Sequence, residues 1–424
     1  MRKNIAFFPP VCYTAVIRDC KKEKKRMAIN ERMVKLGQVR SIIRETFEYG
    51  NKRAAEIGRE NVFDFSLGNP SVPAPKDVEQ GLVHLLTETD PVALHGYTSA
   101  QGAPDVRAAI AEDLNKRFGA GIRPGDLYMT CGAAASLTVS LNALCNPGDE
   151  VAVIAPFFPE YRVFAEQAGA VLRVVPADLR DFQINFPALE EILNPKTKAV
   201  IINSPNNPTG ALLSAETLKK LCDLLKARSE AYGSPIFLLS DEPYRELVYD
   251  PSAEVPYLTN LYDHTLVCYS FSKSLSLPGE RIGYIAVCNR MAEFGEVYAA
   301  VCGAGRALGF VCAPSMMQKL LPSVLGKTAD VEVYRTNRDL LYGALSSYGF
   351  SCVYPDGAFY LFVKSPVEDA TAFCEKAKEF ELLLVPSDSF GCPGYVRISY
   401  CVSTNQIKRS LPAFEKLAKA YGLC

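Results

Sequence analysis

The sequence predicts an α/β fold with a mostly parallel central sheet and flanking helices, plus a smaller α/β domain formed by both chain ends. Between about Leu127 and Cys288, short β-branched runs alternate with helical spacing, which is the pattern of strand–helix–strand units. Several of those runs are apolar almost without interruption, as strands covered on both faces must be. Beyond position 315, further helical and strand-like stretches stand apart from that alternation.

In chain order, residues 1–26 carry "IAFFPPVCYTAVI" and then "KKEKKR". A secretory signal places its basic residues first and ends at a small-residue cleavage site. Here Pro9-Pro10 interrupts the apolar run and the main basic cluster follows it, so 1–26 reads as a disordered or non-native extension, with Met27 as an alternative start. Residues 27–75 form an N-terminal arm, helical over Glu31–Glu56, and part of the small domain. The Pro/Gly-rich "FDFSLGNPSVPAPKDV" (63–78) leads into a large domain spanning 76–315. Its expected strands are 127–131, 150–156, 171–175, 199–203, 236–241, 265–270 and 282–288, with helical periodicity at 136–144 and Ala211–Leu225 between them. A C-terminal small domain follows over 316–424. It begins with a long helix from Met316 to Tyr348 that can break at Pro322, continues through strand-like "GAFYLFVK" and "YVRISYC", and closes with a helix over 404–421.

Composition narrows the function. A formal net charge of −1 gives no electrostatic case for nucleic acid or a membrane surface, and no apolar run approaches the roughly 20 residues of a membrane span. The 14 cysteines are scattered without a CxxC pair, and the three histidines (His84, His95, His264) lie in no metal-ligand spacing. Free thiols in a reducing cytoplasm are expected, and no metal. Chemistry must come from other groups. One lure is "GAGRALG" (303–309), which resembles a dinucleotide-binding glycine pattern but follows the helix-like "RMAEFGEVYAAVC" rather than a strand.

In open parallel sheets, ligands sit beyond the carboxyl ends of the strands. Five distinctive clusters fall there: "CGAAAS" (131–136), "APFFPEY" (155–161), "NSPNNPTG" (203–210), "SDEPY" (240–244) and "SFSK" (270–273). Turns are rich in Asn, Pro and Asp in any case, but turn chemistry does not account for five clusters on one edge. The set resembles the fold-type I pyridoxal-phosphate aminotransferases of class I/II, the aspartate aminotransferase superfamily. The likeness covers nearly all of the chain from about residue 30 onward. It rests on N-x-x-x-N-P-T-G, D-x-x-Y, S-x-S-K with an arginine eight residues later, and a C-terminal V-R-I-S.

That resemblance implies pyridoxal 5'-phosphate as cofactor. Lys273 would form a Schiff base with its aldehyde and then shuttle the proton at the substrate Cα, which requires an amine of depressed pKa. Asp241 would face the pyridine nitrogen and keep it protonated. Tyr244 and Asn207 would donate to the phenolate oxygen, and Phe158 would stack on the ring. Ser270, Ser272, Arg281 and the amides of Ala133 and Ala134 would grip the phosphate, since a dianion favours hydroxyls, a forked guanidinium and a helix N-terminus. Tyr97, in "GYTSAQGAPDV", would reach the phosphate from the partner subunit of a homodimer with shared active sites. Arg397 would bind the substrate α-carboxylate as a bidentate pair, with Asn203 supporting it and the Gly68–Asn69 loop closing over the substrate.

The activity implied is transfer of an amino group from an L-amino acid, aspartate being the candidate, to a 2-oxo acid such as 2-oxoglutarate. A C–S lyase of the same fold is the alternative enzyme, although such lyases usually carry His where Tyr244 stands. A cofactor-binding regulator would need a DNA-binding domain ahead of this one, and residues 1–30 are short and irregular. Two residues bear on the substrate. Ala134 occupies a position where one aspartate-using branch has lysine, whereas Arg306 lies where dicarboxylate-specific relatives have an arginine reading the distal carboxylate in trans.

Overall fold

The computed structural model describes residues 29–38 and 41–423, so the expectations for residues 1–26 lie outside the described residues. The chain divides into a short N-terminal unit ending at Ser41 and a large unit from Ile42 onward. Among its described residues the first contains the helix Glu31–Gln38, whose leading amides at Arg32 and Met33 are capped by Asn30 Oδ1. The arm expected over Glu31–Glu56 is thus two helices, the second running from Ile42 to Ile57.

The large unit is organised by a seven-stranded sheet. Its strands are β1 (Leu127–Thr130), β2 (Glu150–Ile154), β3 (Val171–Val175), β4 (Thr197–Asn203), β5 (Phe237–Asp241), β6 (Thr265–Ser270) and β7 (Gly283–Val287), in the order β1-β7-β6-β5-β4-β2-β3. All neighbours run parallel except β7, which is antiparallel to both β1 and β6. Reversing twice leaves β1 pointing the same way as β6, so the carboxyl ends of β1, β4, β5 and β6 share one edge. Strands β5, β6 and β7 are buried at every position, which explains why their sequence shows no polar alternation.

A second sheet of four antiparallel strands comprises β8 (Cys352–Val353), β9 (Tyr360–Lys364), β10 (Val385–Pro386) and β11 (Tyr395–Ser399), ordered β10-β11-β9-β8. Beside it, Phe63–Asp64 pairs in parallel with Leu382–Leu383, and Phe65 O accepts from Ser399 N at 2.9 Å. These bonds bring the Ser66–Pro70 segment alongside β11.

Two further expected elements differ from those observed. The stretch from Met316 to Tyr348 is two helices, Ser315–Val324 and Val331–Ser347, and Pro322 lies inside the first. The break comes later, where Gly326 adopts φ +74° and Asp330 caps the next helix by accepting from Glu332 N. The helix expected from Ala211 starts at Ala215, because the Ser214 hydroxyl caps Thr217 N. Gly303, Ala304 and Gly305 of the glycine pattern lie inside the helix Phe294–Ala307.

Candidate active site

Register places the chemistry. Asn203 pairs with Asp241 at the ends of β4 and β5, and Asp241 pairs with Cys268 of β6. β6 then turns at Ser270 into a single helical turn, Phe271–Ser274, with Ser270 Oγ accepting from Ser272 N at 3.2 Å. That turn lifts Lys273 above the sheet edge, where its ammonium donates to Gly68 O at 2.7 Å and stands 5.6 Å from the Phe359 ring centre. Removal from water lowers its pKa to about 8, and the guanidinium charges of Arg281 and Arg397 push the same way.

Beyond β1, the helix Ala133–Leu144 opens at Gly132 with no side-chain cap, so the leading amides of Ala133 and Ala134 receive no side-chain acceptor. Gly132 has φ +90°, and a Cβ there would lie 3.0 Å from Arg281 Nη2 and 3.4 Å from Ser270 Oγ. The missing side chain is what leaves space between the helix terminus and those two groups. Ser270 and Ser272 share a hydroxyl contact of 2.7 Å, and Arg281 Nη1 lies 3.5 Å from Ser272 Oγ. Arg281 itself holds a left-handed backbone, φ +52°, a strained geometry that persists where the surroundings over-determine it. Uncapped amides, two hydroxyls and a guanidinium around an open glycine form an anion cradle.

Asp241 is buried, and its two oxygens differ. Oδ2 accepts from the Tyr161 hydroxyl at 2.5 Å, while Oδ1 has no partner among the described residues. Burial raises its pKa to about 7, the Tyr161 bond opposing this and the Glu242 charge reinforcing it. A buried carboxylate oxygen without a donor is costly, and a ligand N–H would satisfy it.

Arg397 is 2% exposed yet meets no carboxylate among the described residues. Its Nη1 donates to Asn207 Oδ1 at 3.1 Å, its Nη2 to Ser66 O at 2.5 Å, and Nε has no partner among those residues. The Tyr360 and Phe390 rings flank it at 4.8 and 5.2 Å. Because a guanidinium only donates, Asn207 must present its oxygen to Arg397, which leaves its NH2 free as a donor. Asn203, expected to support Arg397, makes no direct hydrogen bond to it among the described residues. Its amide instead accepts from Asn207 N at 2.7 Å and donates to Asp241 O at 2.8 Å, so it acts on the arginine only through Asn207. Tyr244 shares a 2.8 Å hydroxyl contact with Tyr360, and a Cβ at Gly68 would collide with that Tyr360 hydroxyl.

Phe158 packs edge-on against Tyr161 at 5.8 Å, and Asn69 is exposed beside Gly68. Tyr97 (91% exposed) and Arg306 are not brought to this cluster within the chain; Arg306 ends the helix Phe294–Ala307 facing solvent. Sequence reasoning passed over Tyr161, Tyr360, the Ser66 carbonyl, and Cys401, whose thiol donates to Leu67 O at 3.7 Å near Lys273. Two are aromatics that read as core, one is a backbone atom, and the thiol reads as one more buried cysteine. No signal short of the fold distinguishes them.

The family description "Aminotransferase class I and II" matches residues 60–414. The chain belongs to that family. Among curated relatives it is similar to an aspartate aminotransferase of Thermotoga maritima, 30% identical over 378 residues covering 88% of this chain and 96% of that protein. Among solved structures it is similar to an amino transferase of Eubacterium rectale, 58% identical with TM-score 0.92 over 94% of this chain and 100% of that one. It also resembles the Thermotoga maritima aspartate aminotransferase structure, at 30% identity and TM-score 0.81 over 92% and 99% of the two chains. This aminotransferase is pyridoxal-phosphate-dependent, as the family is. The residues present fit that cofactor on three separate grounds: an amine of depressed pKa for its aldehyde, an unpartnered buried carboxylate oxygen for its ring nitrogen, and an open cradle for its phosphate. Among the described residues, no helix is long and apolar enough to cross a membrane.

Proposed function

We propose that this aminotransferase moves the amino group of an acidic L-amino acid, aspartate being the candidate, to a 2-oxo acid such as 2-oxoglutarate in a ping-pong cycle. The observation that carries the amino-acid reading is Arg397, a buried guanidinium whose protein acceptors are neutral and whose Nε is unpartnered. A buried cation of this kind calls for an anion, and its planar fork suits a carboxylate. The acidic preference is supported by likeness to proteins named aspartate aminotransferases and by Arg306, exposed and without an ion pair among the described residues.

When bound, the cofactor supplies an aldehyde for covalent attachment and a ring that accepts electrons from the substrate Cα. The roles we assign belong to this chain's own groups. Lys273, its pKa lowered to about 8, keeps a far larger free-base fraction at neutral pH than an ordinary lysine, and in that form moves the proton at the substrate Cα. Asp241 holds the ring nitrogen's proton through Oδ1, and Tyr244 and the Asn207 amide donate to the phenolate oxygen. Ser270, Ser272, Arg281 and the amides of Ala133 and Ala134 hold the phosphate, and Phe158 covers the ring. Gly68 and Asn69 close over the substrate held by Arg397. Tyr97 would complete the cradle of the neighbouring site in a cytoplasmic homodimer, and its 91% exposure in the single chain supports that assignment. The cofactor-binding domain is assigned to 76–315, with the smaller domain completed by 316–424.

A panel of amino donors against 2-oxoglutarate tests the substrate. Aspartate is expected to exceed alanine and aromatic donors in kcat/KM. Arg306→Leu is expected to cut the aspartate value by about tenfold to a hundredfold, since losing a charge-assisted pair is costly, while neutral donors barely change. Equal losses for acidic and neutral donors would leave Arg306 a structural residue and remove the acidic preference.

A further inference from the structure

We infer that Tyr161 is a positioning residue for the reaction: its hydroxyl occupies Asp241 Oδ2 and so fixes which carboxylate oxygen is presented to the cofactor's ring nitrogen. This rests on the reading of Asp241 given above. The geometry comes from two elements. Asp241 ends strand β5, and Tyr161 lies in the helix Glu160–Gln167, with its hydroxyl 2.5 Å from Oδ2. The Tyr161 ring is 1% exposed and held by Phe157, stacked at 6.4 Å, and by Phe158, edge-on at 5.8 Å, so the hydroxyl has little freedom to turn away. From the other side, Asn203 Nδ2 holds the Asp241 carbonyl at 2.8 Å. With Oδ2 engaged, Oδ1 is the carboxylate oxygen left open, and it has no partner among the described residues.

The hydroxyl also acts on charge. The titratable groups facing Asp241 are Tyr161, Glu242 beside it in the chain, Tyr244 in the following turn and Cys268 on the adjacent strand. Of these, Tyr161 provides the hydrogen bond that favours the carboxylate, against burial and the Glu242 charge. A carboxylate, rather than a neutral acid, is what keeps a ring nitrogen protonated. The side chain therefore fixes which oxygen Asp241 presents and favours its charged form against burial.

The test uses holoenzyme and two readouts, the rate of cofactor release and the pH midpoint of the visible absorption band. Tyr161→Phe keeps the ring and deletes the hydroxyl. It is expected to speed release by about tenfold to a hundredfold, as loss of a hydrogen bond to a charged group implies, and to move the band's midpoint in the same direction as Asp241→Asn. The double variant Y161F/D241N is expected to release no faster than D241N alone, because the hydroxyl acts through the carboxylate. If D241N weakens retention while Y161F leaves both readouts unchanged, the role of Tyr161 is overturned. If D241N itself changes nothing, the reading of Asp241 falls and this inference with it. Should Y161F fail to fold, comparing D241N with Y161F/D241N still decides: equal release supports the coupling, and a further acceleration overturns it.

Discussion

Replacing Arg397 with leucine separates substrate binding from stability, because the two respond in different ways. In the substrate-free chain the guanidinium is 2% exposed, faces only the neutral acceptors Asn207 Oδ1 and Ser66 O, and leaves Nε unpaired, and burial lowers its pKa. Keeping such a charge without a carboxylate carries a desolvation cost that leucine removes. Against that, leucine leaves two buried oxygens without a donor, at about 1–3 kcal/mol each. These terms oppose one another, so the melting temperature of cofactor-free protein is expected to move by only a few degrees. Activity has no such offset. A substrate carboxylate entering that pocket would lose its buried partner, which costs about 2–5 kcal/mol. At 1.36 kcal/mol per tenfold, kcat/KM falls by about thirty-fold to a few thousand-fold. The assay compares an α-amino acid donor with a primary amine of the same side chain lacking the α-carboxylate. The amino acid should suffer the full loss and the amine almost none. An equal loss for both would refute the reasoning and reduce Arg397 to a clamp on Ser66 and Asn207.

Lys273→Ala should abolish transamination together with the borohydride-reducible visible absorbance, and a variant still reduced covalently onto its cofactor would mean that another lysine does the work. Mixing Tyr97→Phe subunits with Lys273→Ala subunits should restore activity, because a shared two-fold site leaves one active site intact in each heterodimer; no recovery would place Tyr97 outside the neighbouring cradle. Asp241 makes cofactor-free stability depend on pH in a stated direction. Its folded pKa of about 7 lies above the ordinary 3.8, so the folded state binds more protons between those values and the contribution is lost as pH rises through about 7. The melting temperature of the wild type minus that of Asp241→Asn should therefore fall from pH 5 to pH 8, and a flat or rising difference would contradict the burial of that carboxyl.

The large sheet was legible because its strands needed no alternation to be recognised. Their apolar runs were bounded by turn residues, and all seven expected strands appear within a few residues of their predicted ends. The helix break falls beyond Pro322 because that proline, although it forfeits the bond to the carbonyl four residues back, sits in the last turn of Ser315–Val324, whereas Gly326 and the Asp330 cap stop and restart the chain outright. The site was legible wherever one side chain carries one chemistry, as with Lys273 and Arg397. It was opaque wherever the chemistry depends on which atom faces which. "NNPTG" shows an asparagine but not that its oxygen is committed to Arg397, a constraint that exists only once β11 is laid beside the loop after β4. "FFPEY" shows three aromatics of similar apolar character, and only the helix Glu160–Gln167 decides that Tyr161 turns its hydroxyl onto Asp241 while Phe157 and Phe158 supply the walls. A polar atom on an aromatic ring adds almost nothing to the periodicity by which a sequence is read. Buried beside a carboxylate, the same atom decides which oxygen is left for a ligand, so the groups that orient a site are the ones sequence patterning conceals.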